Sequence, residues 1–136
     1  MGEIIELSIP STLESLDAVS PVIEDAVARS GFDDVEAGRI QLAIWEAIVN
    51  AVQHGNRSRA NEPVELKFVI GTKNIEVTIR DHGIGFVPAA LPDPRAPDRL
   101  LEPSSRGVFL MRAYMDEVEY ATHPCGGTIV RMSKGG

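Results

Sequence analysis

The sequence predicts an α+β fold, a two-layer α/β sandwich in which a mostly antiparallel sheet is covered on one face by three helices. Some segments carry apolar residues at every third or fourth position, as amphipathic helices do, and others carry them at every second position, as half-buried strands do. Short turn-forming connections separate two pairs of strand-like segments, which favours antiparallel hairpins. The predicted strands are residues 3–9, 64–70, 74–80, 117–122 and 128–133, and the predicted helices lie between 12 and 30, 33 and 55, and 107 and 115.

The first helix has a start signal and an interruption. Ser11 and Glu14 form a capping box, in which the Ser11 hydroxyl and the Glu14 carboxylate satisfy free N–H groups, so the helix is expected to begin near Thr12. Pro21 lacks a backbone N–H in the middle of the segment. We therefore expect a kink there, or a second start with Ser20 as its cap.

The second helix is the clearest element of the sequence. Residues 33–36 are another capping signal, and Gly55 is expected to end the helix. Between them, six apolar or small residues recur at steps of three and four, which indicates one buried face. These residues are Ile40, Ala43, Ile44, Ala47, Ile48 and Ala51.

A polar stripe interrupts the apolar pattern of this helix. Glu46 and Asn50 are four residues apart, hence about 40° apart around the helix axis, and His54 continues the row with Gln53 beside it. The stripe is either the solvent-facing side of the helix or the wall of a site, because buried polar groups need partners. It contains no lysine or arginine, which argues against an ordinary charged outer face. For His54, satisfaction by backbone groups at the helix end is the simpler alternative to a phosphate contact.

Three loop signals follow along the chain. Asp81, Gly83 and Gly85 come directly after a predicted strand and place a carboxylate before two residues that permit positive φ and close ligand approach. Residues 104–110 read as a loop entering a helix, whose free N–H groups favour phosphate oxygens. Thr128 opens the last strand after two glycines and could present its hydroxyl to a ligand. Each signal alone has an ordinary explanation, namely a turn, a serine N-cap or hairpin turn chemistry.

Length and composition narrow the function classes. At 136 residues the chain is expected to form a single domain, residues 1–136, and residues 86–106, with five prolines, are expected to be a loop that covers a site. A formal charge of -7 argues against nucleic acid and anionic membrane as partners. No apolar run approaches the ~20 residues that span a bilayer, and no signal peptide is recognisable, so a cytoplasmic location is expected. Cys125 is the only cysteine, which excludes an internal disulfide.

Taken in order, these motifs resemble those of the GHKL ATPase superfamily and, within it, the small anti-sigma factor serine/threonine-protein kinases of bacteria. The resemblance extends from about Leu13 to Met132. It implies the Bergerat or histidine kinase-like ATPase fold. The stretches that carry it are Glu46–Gly55, Asp81–Phe86 and Arg106–Arg112.

The resemblance implies a role for each matching residue. Asn50 would coordinate the Mg²⁺ that bridges the phosphates of ATP, Glu46 would be the general base toward the attacking hydroxyl, and Asp81 would accept a hydrogen bond from the adenine amino group. Residues 86–106 would form the ATP lid. The implied cofactor-binding residues are Asn50, His54, Asp81, Gly83, Gly85, Arg106, Gly107, Val108 and Thr128.

The resemblance also implies a function. The chain would bind ATP, phosphorylate a STAS-type anti-anti-sigma protein on serine, and regulate a sigma factor by partner switching, as a homodimer formed through the N-terminal strand and first helix. Two positions differ from the kinase pattern: Ser105 stands where a lid glycine is usual, and Ser20-Pro21 stands where the first helix usually has an arginine. A nucleotide-dependent protein-binding regulator without kinase activity therefore stays open as an alternative. A third alternative, the catalytic domain of a sensor histidine kinase, fits the chain length poorly.

Overall fold

The structure, a computed structural model, describes residues 3–55, 62–82, 111–124 and 127–135. Residues 111–114 are helical and lie directly before the fourth strand. Within these ranges no helix is both long enough and apolar enough to cross a membrane. The elements are β1 Glu3–Pro10, α1 Leu13–Arg29, α2 Asp34–Asn50, a π-helical turn Ala51–Gly55, β2 Pro63–Gly71, β3 Asn74–Arg80, β4 Glu117–Thr122 and β5 Thr128–Gly135.

The five strands form one open sheet in the order β1-β2-β3-β5-β4. Every neighbouring pair is antiparallel, and both predicted hairpins, β2–β3 and β4–β5, are present. α1 packs against β1 and β2, and α2 packs against β3. The predicted α+β fold is therefore confirmed. Because β5 lies between β3 and β4, the end of β3 meets the start of β5.

The hydrophobic core lies between the sheet and the helices. Alternate residues of β2 and β3 are buried, as the two-residue period of a half-buried strand requires. All six residues of the predicted apolar row of α2 are buried against them. Each fully buried isoleucine or phenylalanine side chain contributes about 1.5–3 kcal/mol. The largest of these side chains are Phe68, Ile40, Ile44, Ile48, Ile75 and Ile79.

The cap of α1 differs from the prediction by one residue. Thr12 is the N-cap, and its hydroxyl accepts a hydrogen bond from the Ser15 N–H at 3.2 Å. Ser11 is fully buried instead, and its hydroxyl donates to the Glu62 carbonyl at 2.6 Å, just before β2. The predicted capping box of Ser11 and Glu14 is therefore wrong, because a tertiary contact with the chain near β2 uses the Ser11 hydroxyl.

Pro21 does not divide α1. The helix is continuous from Leu13 to Arg29, and Ser20 does not cap a second helix. A proline inside a helix costs about 3 kcal/mol, since it removes one hydrogen bond and crowds the preceding turn. Pro21 is exposed, whereas α1 buries residues on both sides of it, and this burial offsets the cost. The buried residues are Leu16, Val19, Ile23, Ala26 and Val27.

The C-terminal part of the second predicted helix also differs. Asp33 caps α2 as predicted, and its Oδ1 accepts from the Glu36 N–H at 2.8 Å. However, α2 ends at Asn50, and residues 51–55 form a π-helical turn. Such a turn joins residues five apart instead of four, and π-turns occur frequently at functional sites. The backbone of His54 therefore belongs to this turn and not to the α-helix that holds Glu46 and Asn50.

Candidate functional site

Asp81 and Thr128 meet where β3 ends and β5 begins. The Asp81 N–H donates to the Thr128 carbonyl at 3.0 Å, and the Thr128 N–H donates to Oδ1 of Asp81 at 3.1 Å. The two residues are only 3% and 5% exposed. A buried carboxylate needs hydrogen-bond donors, and the start of β5 supplies one of them. The pair thus presents a buried acceptor group at one end of the sheet.

Gly127 makes this pairing possible. Its φ is +91°, a conformation that favours glycine. A Cβ at this position would come within 2.9 Å of the carbonyl carbon of Asp81 and closer still to its oxygen. The sequence pattern alone indicated only turn chemistry for the glycines before Thr128. The structure shows that Gly127 is also the residue against which the Asp81 backbone packs.

Asn50 faces the same end of the sheet from α2. It is the last residue of that helix and is only 7% exposed, so at this position the solvent-facing interpretation of the polar stripe is wrong. Asn50, Asp81 and Thr128 line one cavity of about 10 Å³, roughly the space that one water molecule needs. The remaining lining residues are Ala47, Ala51, Ile79, Met111, Tyr120 and Val130.

The other members of the polar stripe are placed differently. Glu46 is half-buried one turn before Asn50 on the same face of α2, and it does not line this cavity. Gln53 is exposed on the π-helical turn. The side chain of His54 lies outside the described part of the structure. Of the stripe, Asn50 alone reaches the wall of the cavity among the described side chains.

Two further side chains form part of the cavity wall: Met111, from the stretch Arg106–Arg112, and Tyr120, which no sequence motif indicated. The Tyr120 hydroxyl points to Sδ of Met111 at 3.9 Å, a weak contact across the cavity. Burial raises the pKa of Tyr120 to about 12, and the nearby charge of Arg112 opposes the rise. The phenol is therefore neutral at physiological pH. The register of β4 could have revealed Tyr120, since it pairs with Val130, two residues after Thr128 and on the same face of the sheet.

Cavity size limits what this conformation can hold. About 10 Å³ accommodates a water molecule and no larger group. A planar heterocycle is larger than this cavity. Tyr120 and Met111 line the cavity wall, and the hydroxyl–sulfur contact between them is weak.

Several predicted site residues lie outside the described ranges. They are Gly83, Gly85, Arg106, Gly107 and Val108, together with Ser105 and the predicted lid over residues 86–106. Their roles stay predictions.

Arg29, the only cationic residue of α1, lies away from this site. Its Nη1 contacts Glu3 at 2.6 Å and its Nε contacts Asp25 at 3.0 Å, at the C-terminal end of the helix. These carboxylates raise the pKa of Arg29, Asp25 most strongly. The Arg29 guanidinium is therefore paired with Glu3 of β1 and with Asp25.

Comparison with known proteins places these observations in a family. The family model described as "Histidine kinase-like ATPase domain" matches residues 9–134. The serine-protein kinase RsbW of Bacillus subtilis is 28% identical over 139 aligned positions, which cover 98% of this chain and 86% of the relative. An anti-sigma F factor of Bacillus thuringiensis is 32% identical over 103 positions, which cover 73% of this chain and 69% of the relative.

Two solved structures share the fold. A structure of the RsbU and RsbW domains of a Mycobacterium tuberculosis protein superposes with a TM-score of 0.63 at 18% identity, over 97% of this chain and 31% of that longer one. A blue-light activated histidine kinase of Erythrobacter litoralis superposes with a TM-score of 0.57 at 23% identity, over 93% of this chain and 42% of the other. At these identities the similarity shows the fold alone.

Proposed function

The chain belongs to the histidine kinase-like ATPase family, and from this premise we propose that it binds ATP with Mg²⁺ and acts as an anti-sigma factor with serine/threonine-protein kinase activity. One observation supports the proposal most directly. Asn50, Asp81 and Thr128 come from three separate segments, are buried, and line the same cavity. Three buried polar groups that converge on a pocket in an otherwise apolar core are expected of a ligand site.

The base of ATP would bind at the Asp81 end of the cavity. An ionised carboxylate only accepts hydrogen bonds, and the amino group of adenine donates them. The walls around Asp81 are apolar, since Ile79, Met111 and Val130 line the cavity beside it, and they would cover the faces of a flat base. Thr128 would support this contact from the start of β5.

Mg²⁺ would bind at Asn50. The side-chain carbonyl of asparagine is an oxygen donor of the kind that Mg²⁺ prefers, and Mg²⁺ typically takes one or two protein ligands and fills its remaining positions with phosphate oxygens and water. Asn50 is buried against the cavity and so is held in place at the end of α2. The metal would supply charge stabilisation for the phosphoryl oxygens.

Glu46 would act as the general base. Its half-buried carboxylate lies one helical turn from Asn50 and outside the base cavity, as a group at the phosphate end should. It would take the proton from a serine hydroxyl of the protein substrate as that oxygen bonds to the γ-phosphorus and the bond to the β-phosphate oxygen breaks, releasing ADP. Positioning supplies most of the catalysis in such a transfer.

The names of the relatives support a proposal about the protein partners. They are called serine-protein kinase RsbW and anti-sigma F factor. We infer that this chain binds a sigma factor and a STAS-type anti-anti-sigma protein, that it phosphorylates the latter, and that it works as a homodimer in the cytoplasm. Phosphorylation of the anti-anti-sigma protein would then decide which partner is bound.

A binding module without kinase activity is the second candidate. It is favoured by α1, whose only cation, Arg29, is engaged by Glu3 and Asp25 at the far end of the helix. A phosphoryl transfer that lacks a cation near the γ-phosphate loses part of its transition-state stabilisation. ATP binding needs no such group.

One experiment separates the two candidates. The protein is incubated with ATP labelled at the γ-phosphate and with a candidate STAS-type anti-anti-sigma protein, and label transfer is compared for wild type, Glu46→Gln and the control Glu24→Gln. Glu24 is exposed on α1, so its variant should behave as wild type. Transfer that is lost only in Glu46→Gln supports the kinase. No transfer by wild type, with an ATP-induced rise in melting temperature, supports the binding module.

A further inference from the structure

Arg80 connects three segments of the chain on the sheet face opposite the helices. Its Nη1 lies 3.3 Å from Oε2 of Glu65 on β2, and the same oxygen lies 2.9 Å from Nε2 of His82. Its Nη2 lies 3.2 Å from Nδ1 of His123, one residue after β4. The Arg80 side chain is only 24% exposed, and its buried Nε has no hydrogen-bond partner within the described part of the chain. The contacts of the Arg80 guanidinium with Glu65 and His123 are made by its two Nη groups.

The contact with Arg80 selects the tautomer of the neutral His123 imidazole. A guanidinium only donates hydrogen bonds, so Nδ1 of His123 must accept, and the neutral ring then carries its proton on Nε2. A second proton on Nδ1 would replace this hydrogen bond with repulsion between two cations. Glu65 contacts Arg80 from β2, and His82 shares the same carboxylate oxygen of Glu65.

A closed ring of contacts links Arg80 and His123 to the cavity on the other face of the sheet. The His123 N–H donates to the Gly127 carbonyl at 3.0 Å. Gly127 packs against the Asp81 carbonyl, and Thr128 exchanges two hydrogen bonds with Asp81. Asp81 follows Arg80 directly in the chain. The ring thus returns to Arg80 and spans the ends of three strands.

We propose that Arg80 is a positioning residue for adenine recognition, which acts through His123 to keep Thr128 in register with Asp81. This inference rests on the proposed function, because it concerns the base end of the ATP site.

The first test measures dissociation constants for ATP and GTP by calorimetry. Arg80→Met is expected to weaken ATP binding about tenfold, since it removes the guanidinium that donates to Nδ1 of His123 and pairs with Glu65. The preference for ATP over GTP should fall too, because guanine has a carbonyl where adenine has the amino group that Asp81 would accept from. The control is Arg131→Met, which removes an exposed ion pair of 3.0 Å with Glu119 on β4. This control should keep the wild-type dissociation constants for ATP and GTP.

A merely structural role for Arg80 predicts a different result. The melting temperature of Arg80→Met would fall while the ratio of the ATP and GTP dissociation constants stayed at the wild-type value. That outcome overturns the inference.

The second test compares His123→Asn, which offers an acceptor oxygen near the Nδ1 position, with His123→Leu, which offers none. His123→Asn should keep more of the ATP affinity than His123→Leu, and equal losses would contradict the inference. Nitrogen NMR of labelled histidine should show Nε2 protonated and Nδ1 bare in neutral His123, and the opposite tautomer would refute the Arg80 contact. If wild type binds no ATP, the proposed function itself fails, and the tautomer still tests the ring.

Discussion

Three glycines allow the packing of the site to be separated from backbone strain. Gly127 has a φ of +91° and packs against the Asp81 carbonyl, whereas Gly31, at the end of α1, has a φ of +78° and open space for 4 Å around the place that a Cβ would take. Gly38 lies inside α2 with ordinary helical φ and also has open space around it. Gly127→Ala therefore tests backbone strain together with a steric clash, and Gly31→Ala tests backbone strain alone. Gly38→Ala introduces neither.

The expected changes in the free energy of unfolding differ among the three variants in sign as well as in size. Gly38→Ala should stabilise the fold by about 0.5–1 kcal/mol, because alanine loses less backbone entropy in a helix. Gly31→Ala should cost about 1–2 kcal/mol for the left-handed conformation. Gly127→Ala carries the same strain and must also displace the Asp81 backbone, which disrupts the two hydrogen bonds between Asp81 and Thr128. Leaving these buried groups unsatisfied costs about 1–3 kcal/mol each, so the total should exceed about 3 kcal/mol.

The assay is urea unfolding, with the free energy of unfolding compared among the three variants and wild type. ATP binding by the folded variants provides a second readout, in which Gly127→Ala should lose affinity and the other two should retain it. The reasoning is refuted if Gly127→Ala costs no more than Gly31→Ala, or if it binds ATP as wild type does. Either result would show that Asp81 does not depend on its contact with Gly127.

Asn50→Ala should abolish the Mg²⁺-dependent part of the rise in melting temperature that ATP causes, because it removes the proposed oxygen ligand; a rise that keeps its Mg²⁺ dependence would place the metal elsewhere. Burial raises the pKa of Tyr120 from its ordinary value of 10 to about 12, so the folded state holds the phenol proton more tightly than the unfolded state. The corresponding stability is present below pH 10 and is lost toward pH 12, by at most about 3 kcal/mol, and urea unfolding of Tyr120→Phe should show a smaller loss than wild type over this range. Thr12→Ala should lower the free energy of unfolding by about 1 kcal/mol through loss of the α1 cap, and Glu14→Ala should lower it less; equal losses would contradict the cap assignment.

Short-range features of the fold were predictable because neighbouring residues encode them. The period of apolar residues identified α2 and both hairpins, and Asp33 was recognised as the cap of α2 from a hydrogen bond that spans three residues. The cap of α1 was missed by one position. Ser11 and Thr12 are equally good caps by chemistry, and the choice between them is made by Glu62, which lies 51 residues away from Ser11.

The candidate site was likewise predictable only in part, since local motifs indicated some of its residues and tertiary packing decided where they lie. The motifs alone drew attention to Glu46, Asn50, Asp81 and Thr128, but the helical period could not tell which of the first two is buried. Tertiary packing buries Asn50 at the cavity and leaves Glu46 half-exposed, and α2 ends at Asn50 in a π-helical turn. No local pattern in the sequence announced that turn.

The sequence by itself determined which segments become helices and strands, since these depend on residues two to four positions apart. Only the tertiary structure decided that β5 inserts between β3 and β4, and this order brings Thr128 against Asp81 across 47 residues. It likewise decided that Gly127 packs on the Asp81 backbone and that Arg80 reaches His123. Such contacts depend on how the whole chain buries its apolar faces, and a local sequence pattern cannot specify which distant segment will pair with it.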